Sequence, residues 1–519
     1  MRASRFATAG SGCLTGALMG LMATAAIAVD PALEGLVPAP SGDLRIAQFN
    51  ASLTRSVAGG LIEDLSTPND GQAQAIAEIL QRVRPGVVLI NEFDFDDQSA
   101  DVGSLAAELF QANYLSIPQA GDVDPINYPH VYSASSNTGI PSGLDFNNDG
   151  ATDGPNDAFG FGFFPGQFGM VVFSQYPILT DQVRTFQQFL WRDMPGALLP
   201  LAPETLESYY SDAELDAFRL SSKSHWDVPI AVGGRIVHVL ASHPTPPVFD
   251  DGTRTFDGEV NAIDFNGLRN HDEIRFWADY VIPGRSNYIY DDAEFAAAGN
   301  QRPATPSGGL ADAARFVIMG DQNADPFDGD ATANAIRQLT DHPTIDTSAT
   351  PRSVGGQEDS LVDGDVNLEH RGDPAFDTAD FGEPPGNLRA DYVLPSKVGL
   401  EFTDGGVFWP VATDPLADLV TASDHRLVWV DLAVAESGEL VEIEQEPAGA
   451  NCAAGGQRIR IGTDANADEV LQEGEVEQTA FVCDGAQGPK GPEGAQGPQG
   501  PEGPQGPDGL QRGPGPAGG

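Results

Sequence analysis

The sequence contains few basic residues for its length. Of 519 residues only 27 are Lys or Arg, against 76 Asp or Glu, which gives a formal net charge of −49. A surface of this sign repels polyanions, so the composition excludes a stable basic surface that binds long nucleic acid. It is compatible with solubility in a salty or calcium-containing medium, and with an enzyme that meets phosphate through a metal ion.

Cysteine is scarce as well, and a long apolar run occurs only at the N-terminus. Residues 1–28 combine two arginines with an apolar run of small residues and end in the letters AIA, the order of a secretory signal peptide cleaved after Ala28. A lipid anchor on Cys13 is the alternative, disfavoured because most of the apolar run follows Cys13. Since no later run reaches the length of a membrane span, we expect a secreted or cell-surface protein.

Short apolar runs that end in polar residues recur over residues 29–433. The strand-forming composition of these runs, and helical spacing in two other segments, predict a layered α/β domain. The predicted strands are 44–49, 87–90, 170–173, 235–241, 316–319, 388–394 and 426–432, and the predicted helices are 73–83 and 268–280.

The run FVIMGDQNAD, residues 316–325, is the most informative of these. Its four apolar residues predict a buried strand that ends at Gly320, after which Asp321 and Asn323 lie two residues apart. Side chains two apart in an extended chain point the same way, so a carboxylate and a carboxamide converge. Such an oxygen-rich spot suits a hard cation or a water that attacks phosphorus. A turn in which both side chains cap the backbone is the alternative.

Polar residues of the same kind lie at or near the ends of other predicted strands. Because strand ends on one side of a layered sheet can meet in one cleft, we expect these side chains to converge. The full set is Asn50, Glu92, His243, Asp321, Asn323, Asp391, Asp424 and His425.

The order of the motifs around these residues resembles the endonuclease/exonuclease/phosphatase superfamily, which includes secreted DNases, abasic-site endonucleases, inositol-polyphosphate phosphatases and bacterial sphingomyelinases. The motifs are F-N at Asn50, N-E at Glu92, S-H at His243, G-D-x-N at Asp321, D-Y-V-L at Asp391 and S-D-H at His425. The resemblance covers residues 43–433 and implies a four-layer α/β sandwich of two facing mixed β-sheets flanked by helices.

The resemblance also implies a division of roles among the residues. A catalytic Mg²⁺ or Mn²⁺ would be held by Asn50, Glu92 and Asp424. Asp321 and Asn323 would position and deprotonate the attacking water or hold a second metal. His425, oriented by Asp391, would contact the scissile phosphate. His243 would stabilise or protonate the transition state. A hard dication neutralises charge that develops on phosphorus, and a carboxylate-oriented imidazole donates a hydrogen bond without a reactive nucleophile.

Two segments beside the expected cleft depart from the commoner family members. They are an acidic insertion over about residues 122–165 and the stretch PTPPVFD after His243. Arg192, Lys223 and His225 form one of the few basic clusters and would steer a substrate phosphate, with ordinary salt bridging as the alternative. The net charge favours a small phosphoester or short nucleotides over duplex DNA, although high salt would screen the repulsion.

Within the insertion, the loop LDFNNDGATDGPND is typical of a calcium-binding turn. Oxygen-bearing side chains at alternate positions, with a glycine for the sharp turn, can wrap a Ca²⁺ ion that supports the fold. The four side chains are Asp145, Asn147, Asp149 and Asp153, arranged around Gly150. An acidic, solvated turn is the alternative.

The C-terminal part changes character twice. Residues 434–450 are predicted to form a linker, and residues 451–484 a small module framed by Cys452 and Cys483, which are free to pair once Cys13 has been removed with the signal peptide. Glycine holds every third position from Gly485 to Gln511, and the period breaks at Arg512. Residues 485–519 are therefore predicted to be a collagen-like segment with the capacity for a homotrimer.

The module also contains a second acidic loop, DANADEVLQEGE. Its oxygen-bearing side chains occupy positions 1, 3, 5 and 12 of an EF-hand-like loop, but Glu469 stands where a glycine is expected, which leaves calcium binding open. The four side chains are Asp464, Asn466, Asp468 and Glu475.

The sequence therefore predicts a secreted, metal-dependent phosphoesterase, either nuclease or phosphatase, that acts on a nucleotide, nucleic acid or small phosphoester. The competing class is a non-catalytic matrix or adhesion protein that uses the sandwich fold as a platform on a collagen-like stalk.

Overall fold

The structure, a computed structural model, describes residues 37–96, 104–202, 205–250, 253–256, 259–311, 314–362, 364–382, 384–435, 439–463, 471 and 473–483. These residues form two compact units, the first ending at residue 435 and the second running from residue 439 to 483. Within the described ranges, every helix is too short or too polar to cross a bilayer. The predicted signal peptide and the predicted collagen-like segment lie outside the described residues.

The first unit alternates strands and helices. Its strands are β1 (Leu44–Leu53), β2 (Val87–Phe93), β3 (His130–Tyr132), β4 (Met170–Ser174), β5 (Arg184–Thr185), β6 (His225–Val232), β7 (Arg235–Ser242), β8 (Thr253–Phe256), β9 (Glu259–Ala262), β10 (Phe316–Asp321), β11 (Ala379–Asp380), β12 (Asn387–Leu388), β13 (Asp391–Pro395), β14 (Leu400–Val407) and β15 (Val428–Val434). Its helices are α1 (Gly60–Leu65), α2 (Gly71–Val83), α3 (Leu105–Phe110), α4 (Asp212–Leu215), α5 (Phe265–Tyr280), α6 (Asp292–Ala297), α7 (Arg337–Thr340), α8 (Val354–Val362) and α9 (Gly364–Asn367).

Two mixed sheets organise this unit. A six-stranded sheet has the order β14-β15-β1-β2-β4-β3, and a five-stranded sheet has the order β13-β10-β7-β6-β5. In the first, β1 is parallel to β2 and antiparallel to β15; in the second, β10 is parallel to β7 and antiparallel to β13. The central strands of both sheets are therefore parallel pairs, which are typically covered on both faces.

Side-chain alternation along the strands builds the layers. On β2, Val87 and Leu89 pack between the two sheets, whereas Val88 and Ile90 pack against the helices outside the first sheet. Each fully buried aliphatic side chain of this kind contributes about 1.5–3 kcal/mol to folding. A helical layer containing α5 covers the outer face of the second sheet in the same way. The expected four-layer sandwich is confirmed.

One predicted strand, 388–394, is divided in the structure into β12 and β13. The hydroxyl of Thr378 accepts hydrogen bonds from the backbone N–H groups of Ala390 and Asp391, at 3.0 and 2.9 Å. These two amides therefore bond to a side chain and not to a neighbouring strand, and Arg389 and Ala390 belong to neither β12 nor β13.

The second unit is a three-stranded antiparallel sheet of β16 (Glu439–Glu446), β17 (Gly456–Thr463) and β18 (Val476–Cys483). The strand β16 lies within the segment predicted as a linker. Its alternating acidic residues are opposed by arginines of β17, as in the ion pairs Glu442–Arg460 and Glu444–Arg458, so they form one face of a strand.

The predicted disulfide between Cys452 and Cys483 is present. It links residues 31 apart in the sequence. In the chain-entropy account, a loop of this size gains roughly 3–4 kcal/mol of stability from the bond, which a sheet with so little core needs.

Candidate active site

The Asp321 carboxylate is the centre of a buried polar cluster at the strand ends. Three side chains approach its Oδ2 atom: Asn50 donates from Nδ2 at 3.0 Å, and the Nε2 atoms of His243 and His425 lie at 3.4 and 3.6 Å. Asp321 ends β10, Asn50 belongs to β1, and the two histidines follow β7 and precede β15. Both sheets therefore contribute to one constellation.

The surroundings of Asp321 favour its ionised form. Burial by itself would raise the pKa, but the imidazoles of His425 and His243 and the amide of Asn50 outweigh it and hold the pKa of Asp321 below its usual range. The Oδ1 atom accepts the backbone N–H of Asn323 at 2.8 Å, and the Asn323 amide donates to the Pro244 carbonyl at 3.1 Å. Asp321 therefore caps the turn with one oxygen, while its other oxygen faces the cluster.

His425 is fixed in orientation by Asp391. Its Nδ1 atom lies 2.8 Å from Asp391 Oδ2, which also accepts a hydrogen bond from the Thr378 hydroxyl at 2.8 Å. Burial opposes the charged imidazole, but the carboxylates of Asp391 and Asp321 dominate and raise the pKa of His425 to about 10. The edge of the Phe381 ring packs against the imidazole at a centroid distance of 5.2 Å, which further limits its rotation.

Asn91 connects the two sheets directly beneath this cluster. Its Oδ1 atom accepts the backbone N–H of Asp321 at 3.1 Å and the Gln48 side-chain amide at 2.9 Å, and its Nδ2 atom donates to the Ser242 carbonyl at 3.3 Å. Asn91 was not among the predicted site residues. Its signal in the sequence is a carboxamide that interrupts the apolar run of β2 immediately before Glu92.

Thr378 and Ser423 were also missed. The Ser423 hydroxyl donates to the Asn50 carbonyl at 2.8 Å and accepts the backbone N–H of His425 at 3.1 Å, so it ties the S-D-H motif to β1. Thr378 lies in a long Gly/Asp-rich loop, where no pattern in the sequence distinguishes it. Only its contacts with Asp391 reveal its place in the site.

The predicted metal ligands Glu92 and Asp424 lie at the margin of the cluster. Glu92 is half-buried with a φ of 55°, and its carboxylate accepts no hydrogen bond from the residues that the structure describes. Asp424 is exposed, and the Ser423 hydroxyl lies 3.5 Å from its Oδ1 atom. Carboxylate and carboxamide oxygens are the donor chemistry that a Mg²⁺-type ion requires, so the side chains of Glu92, Asp424 and Asn50 fit such an ion.

A second group of potential ligands is more compact. Asp321, Asp391 and His425 each offer a ligand atom, and these atoms lie within 4.8 Å of one another. The Oδ1 atom of Asp391 is buried and has no partner among the described residues. Here the sequence-based assignment separated catalytic from metal-binding residues, whereas the geometry gives three of the catalytic residues the spacing of a metal site.

The acidic loop at residues 145–153 is held by its own backbone. Asp145 accepts the N–H groups of Asp149 and Gly150 at 3.0 and 2.9 Å, and Asp149 accepts that of Ala151 at 2.7 Å. The Asn147 amide donates to Asp149 at 3.1 Å, and Asp153 is exposed. Calcium binding by this loop stays a prediction. In the second acidic loop Asp464, Asn466 and Asp468 lie outside the described residues, and only Glu475 is within them.

The predicted basic cluster is divided in the structure. Arg192 forms a surface ion pair with Asp216, and the buried His225 is bonded to the Ser221 hydroxyl and, at 2.9 Å, to the Glu273 carbonyl. Burial lowers the pKa of His225 to about 4, so this ring is neutral at physiological pH. Only Lys223 among the three lies beside the Asp321 cluster.

Both units match known protein families. A family model described as the Endonuclease/Exonuclease/phosphatase family matches residues 47–425, and one described as a domain of unknown function (DUF7151) matches residues 439–483. No curated protein matched the sequence.

Solved structures similar to this chain share little sequence with it. An endonuclease/exonuclease/phosphatase from Beutenbergia cavernae is 17% identical with a TM-score of 0.38, the match covering 81% of this chain and 80% of that one. Sphingomyelinase C from Streptomyces griseocarneus is 16% identical with a TM-score of 0.34, covering 75% and 99%. Beta toxin from Staphylococcus aureus, solved with bound magnesium ions, is 13% identical with a TM-score of 0.32, covering 76% and 100%.

Proposed function

The chain belongs to the endonuclease/exonuclease/phosphatase family, and on that premise we propose that it is a secreted, metal-dependent phosphoesterase that hydrolyses phosphate esters by attack of water on phosphorus. The observation that carries the proposal is the Asp321 carboxylate, which is buried among Asn50 and two imidazoles contributed by both sheets. Buried charges are costly unless they are paired, so a cluster of this density indicates a function beyond support of the fold.

The metal-binding residues of the proposal are Asn50, Glu92 and Asp424, with Mg²⁺ or Mn²⁺ as the catalytic ion. Support comes from the open carboxylate of Glu92 and from the half-buried position in which its left-handed backbone holds it. When bound, the dication would neutralise charge that develops on the phosphate oxygens.

Asp321 and Asn323 act on the attacking water in this proposal. The lowered pKa of Asp321 makes it a weak base, so its main contribution is to accept a hydrogen bond from the water and orient it. Asn323 is well placed to help, because bonds to Asp321 and Pro244 fix its backbone and side chain. Orientation of this kind converts an encounter into a near-unimolecular step.

The two histidines act on the phosphate. His425, cationic between Asp391 and Asp321, donates to a non-bridging oxygen as charge develops there. His243 has a buried Nδ1 atom with no partner among the described residues, and its Nε2 atom faces Asp321. A histidine with one unused nitrogen can protonate a leaving group, which is the role proposed for it.

The proposal also covers where the enzyme acts, how it is stabilised and assembled, and which substrates it takes. The order of residues 1–28 supports export, and the Cys452–Cys483 disulfide is typical of oxidising compartments. Structural Ca²⁺ in the acidic loops and a homotrimer through the Gly-X-Y segment are proposed on the sequence pattern. The net charge of −49 favours small phosphoesters or short nucleotides as substrates.

A non-catalytic matrix or adhesion protein is the alternative. A platform protein would have no need of a buried, paired set of carboxylates and imidazoles, which is why the enzyme is preferred. The deciding experiment uses the full chain without residues 1–28. Bis-p-nitrophenyl phosphate, plasmid DNA, nucleotides, inositol phosphates and phospholipids are each offered with Mg²⁺, Mn²⁺ or Ca²⁺, with EDTA as the control. Hydrolysis that EDTA abolishes supports the enzyme; no turnover with any metal supports the platform.

A further inference from the structure

Lys223 is a buried lysine, and neither the fold nor the family motifs explain why it is buried. Only 6% of the residue is exposed, and its ammonium makes one hydrogen bond among the described residues, a long one of 3.4 Å to the Pro244 carbonyl. An ammonium carries three N–H donors, and burying it without partners is costly. Two of its donors are therefore available to a ligand.

This ammonium lies beside the candidate active site. The Pro244 carbonyl accepts both from Lys223 and from the Asn323 amide, so the two side chains are neighbours on a single oxygen. Pro244 directly follows His243. Burial lowers the pKa of the Lys223 ammonium, and the carboxylates of Glu273, Glu92 and Asp321 oppose that shift.

The competing explanation for the burial of Lys223 is that it neutralises Glu273. Glu273 is fully buried, but its two oxygens already accept the backbone N–H groups of Ser222 and Thr245, at 2.6 and 2.7 Å. No carboxylate of the described residues lies within ion-pair distance of the Lys223 ammonium. The donors of Lys223 are thus not committed to Glu273.

We propose that Lys223 donates a charge-assisted hydrogen bond to a non-bridging oxygen of the substrate phosphate, a role that rests on the phosphoesterase function proposed above. A cation among Glu92, Asp321 and Asn323 counters the repulsion that these acidic groups would exert on an anionic substrate. In a chain with 27 basic residues against 76 acidic ones, one buried lysine in the site makes phosphate binding possible where the surface opposes it.

The test compares Lys223→Met with Lys397→Met. Lys397 also donates to a proline carbonyl, that of Pro343 at 2.9 Å, but is exposed and outside the cluster, so it is a matched control. Methionine keeps the length and apolar stem of lysine and removes the charge. Binding of inorganic phosphate to the full chain is measured by calorimetry with and without Mg²⁺, beside kcat/KM for bis-p-nitrophenyl phosphate.

Loss of a hydrogen bond to a charged group should weaken phosphate binding by about 10- to 100-fold in Lys223→Met, with no change in Lys397→Met. Lys223→Arg should recover part of the loss. Unchanged binding and kcat/KM in a folded Lys223→Met variant would overturn the proposal. So would failure of both Lys223→Met and Lys223→Gln to fold, since that would assign Lys223 to neutralising Glu273.

The binding measurement tests the phosphoesterase function and the role of Lys223 separately. If the wild-type chain hydrolyses no ester but binds phosphate in a Lys223-dependent way, the phosphoesterase function fails and the binding role of Lys223 stands. If the chain hydrolyses esters and the variant does so equally well, the function stands and the role of Lys223 fails.

Discussion

Two regions of the first unit concentrate oxygen-bearing side chains, and they are built in opposite ways. In the loop at residues 145–153 the partners of Asp145 and Asp149 are backbone N–H groups and the Asn147 amide, all within five residues. Around Asp321 the partners come from Asn50, 271 residues away, and from the separate segments of His243 and His425. The first arrangement is local and self-satisfied, and the second is assembled by the fold.

The difference shows what distinguishes a candidate site from an acidic turn. In the loop, Asp145 and Asp149 accept the backbone donors that an Asx turn supplies, which stabilises the loop without any ligand. At the strand ends, Asp391 Oδ1 and His243 Nδ1 are buried and have no partner within the described part of the chain, and the Glu92 carboxylate is open there. Buried polar atoms are normally satisfied, so unsatisfied ones that converge indicate a ligand or a chemical role.

The largest expected effect is that of His425→Ala. Removing the imidazole eliminates the donor to phosphate and leaves Asp391 without its partner, so kcat/KM for bis-p-nitrophenyl phosphate should fall about 10²- to 10⁴-fold. His238→Ala is the matched control, because His238 lies 2.7 Å from Asp227 in a His–Asp pair outside the cluster. An equal loss in both variants would mean that such pairs support the fold alone.

Glu92→Gln tests the metal-binding half of the site. The neutral amide removes one charged ligand, so we expect activity to require about 10- to 100-fold more Mg²⁺ and to be partly restored at high metal concentration. Steady-state rates over a Mg²⁺ titration give the apparent constant, with the exposed Glu63→Gln as control. An unchanged Mg²⁺ requirement would remove Glu92 from the ligand set.

Asp377 extends the comparison, because it is a buried acid to which no backbone N–H of the described ranges donates. Burial, reinforced by Asp325, Asp328 and Asp373, raises the pKa of Asp377 to about 8. The unfolded carboxyl ionises near pH 4, so the folded state loses stability as pH rises from about 4 to 8 and the penalty is complete above that. Asp377→Asn should therefore increase the free energy of unfolding by roughly 1–4 kcal/mol at pH 8 and by little at pH 4.

Urea unfolding at pH 4, 6 and 8 measures this difference directly. Asp373→Asn is the comparison variant, because asparagine keeps an oxygen that can accept the backbone N–H of Ala375, bonded to Asp373 at 3.1 Å, so its stability should change less than that of Asp377→Asn. A constant difference between Asp377→Asn and the wild type at all three pH values would refute the raised pKa.

The smallest effect is expected from Asp149→Ala in the acidic loop. It removes one side-chain acceptor of a backbone amide, so thermal unfolding should show a loss of about 1 kcal/mol with unchanged kcat/KM. If the loop binds calcium as proposed, adding Ca²⁺ should raise the Tm of the wild type more than that of the variant. An identical Ca²⁺ response would mean that the loop is an acidic turn alone.

The sequence by itself determined the layered α/β class, the main strands and the disulfide. These depend on short-range patterns: apolar runs of strand length at 44–49 and 87–90, helical spacing at 73–83, and two cysteines left to pair. Asp321 and His425 were recognisable because each follows or precedes such a run within a compact motif. The strand Glu439–Glu446 was missed because alternating glutamates resemble a linker until Arg458 and Arg460 oppose them.

Only the tertiary structure decided which polar residues share one place. Thr378 orients Asp391 across a loop, Asn91 ties β2 to β10, and Lys223 meets Asn323 at the Pro244 carbonyl. No sequence period or fixed spacing predicts these contacts, because each joins segments whose separation in the chain is set by loops of arbitrary length. Long-range hydrogen bonds are a property of the packed sheets, and they become visible only when the layers are assembled.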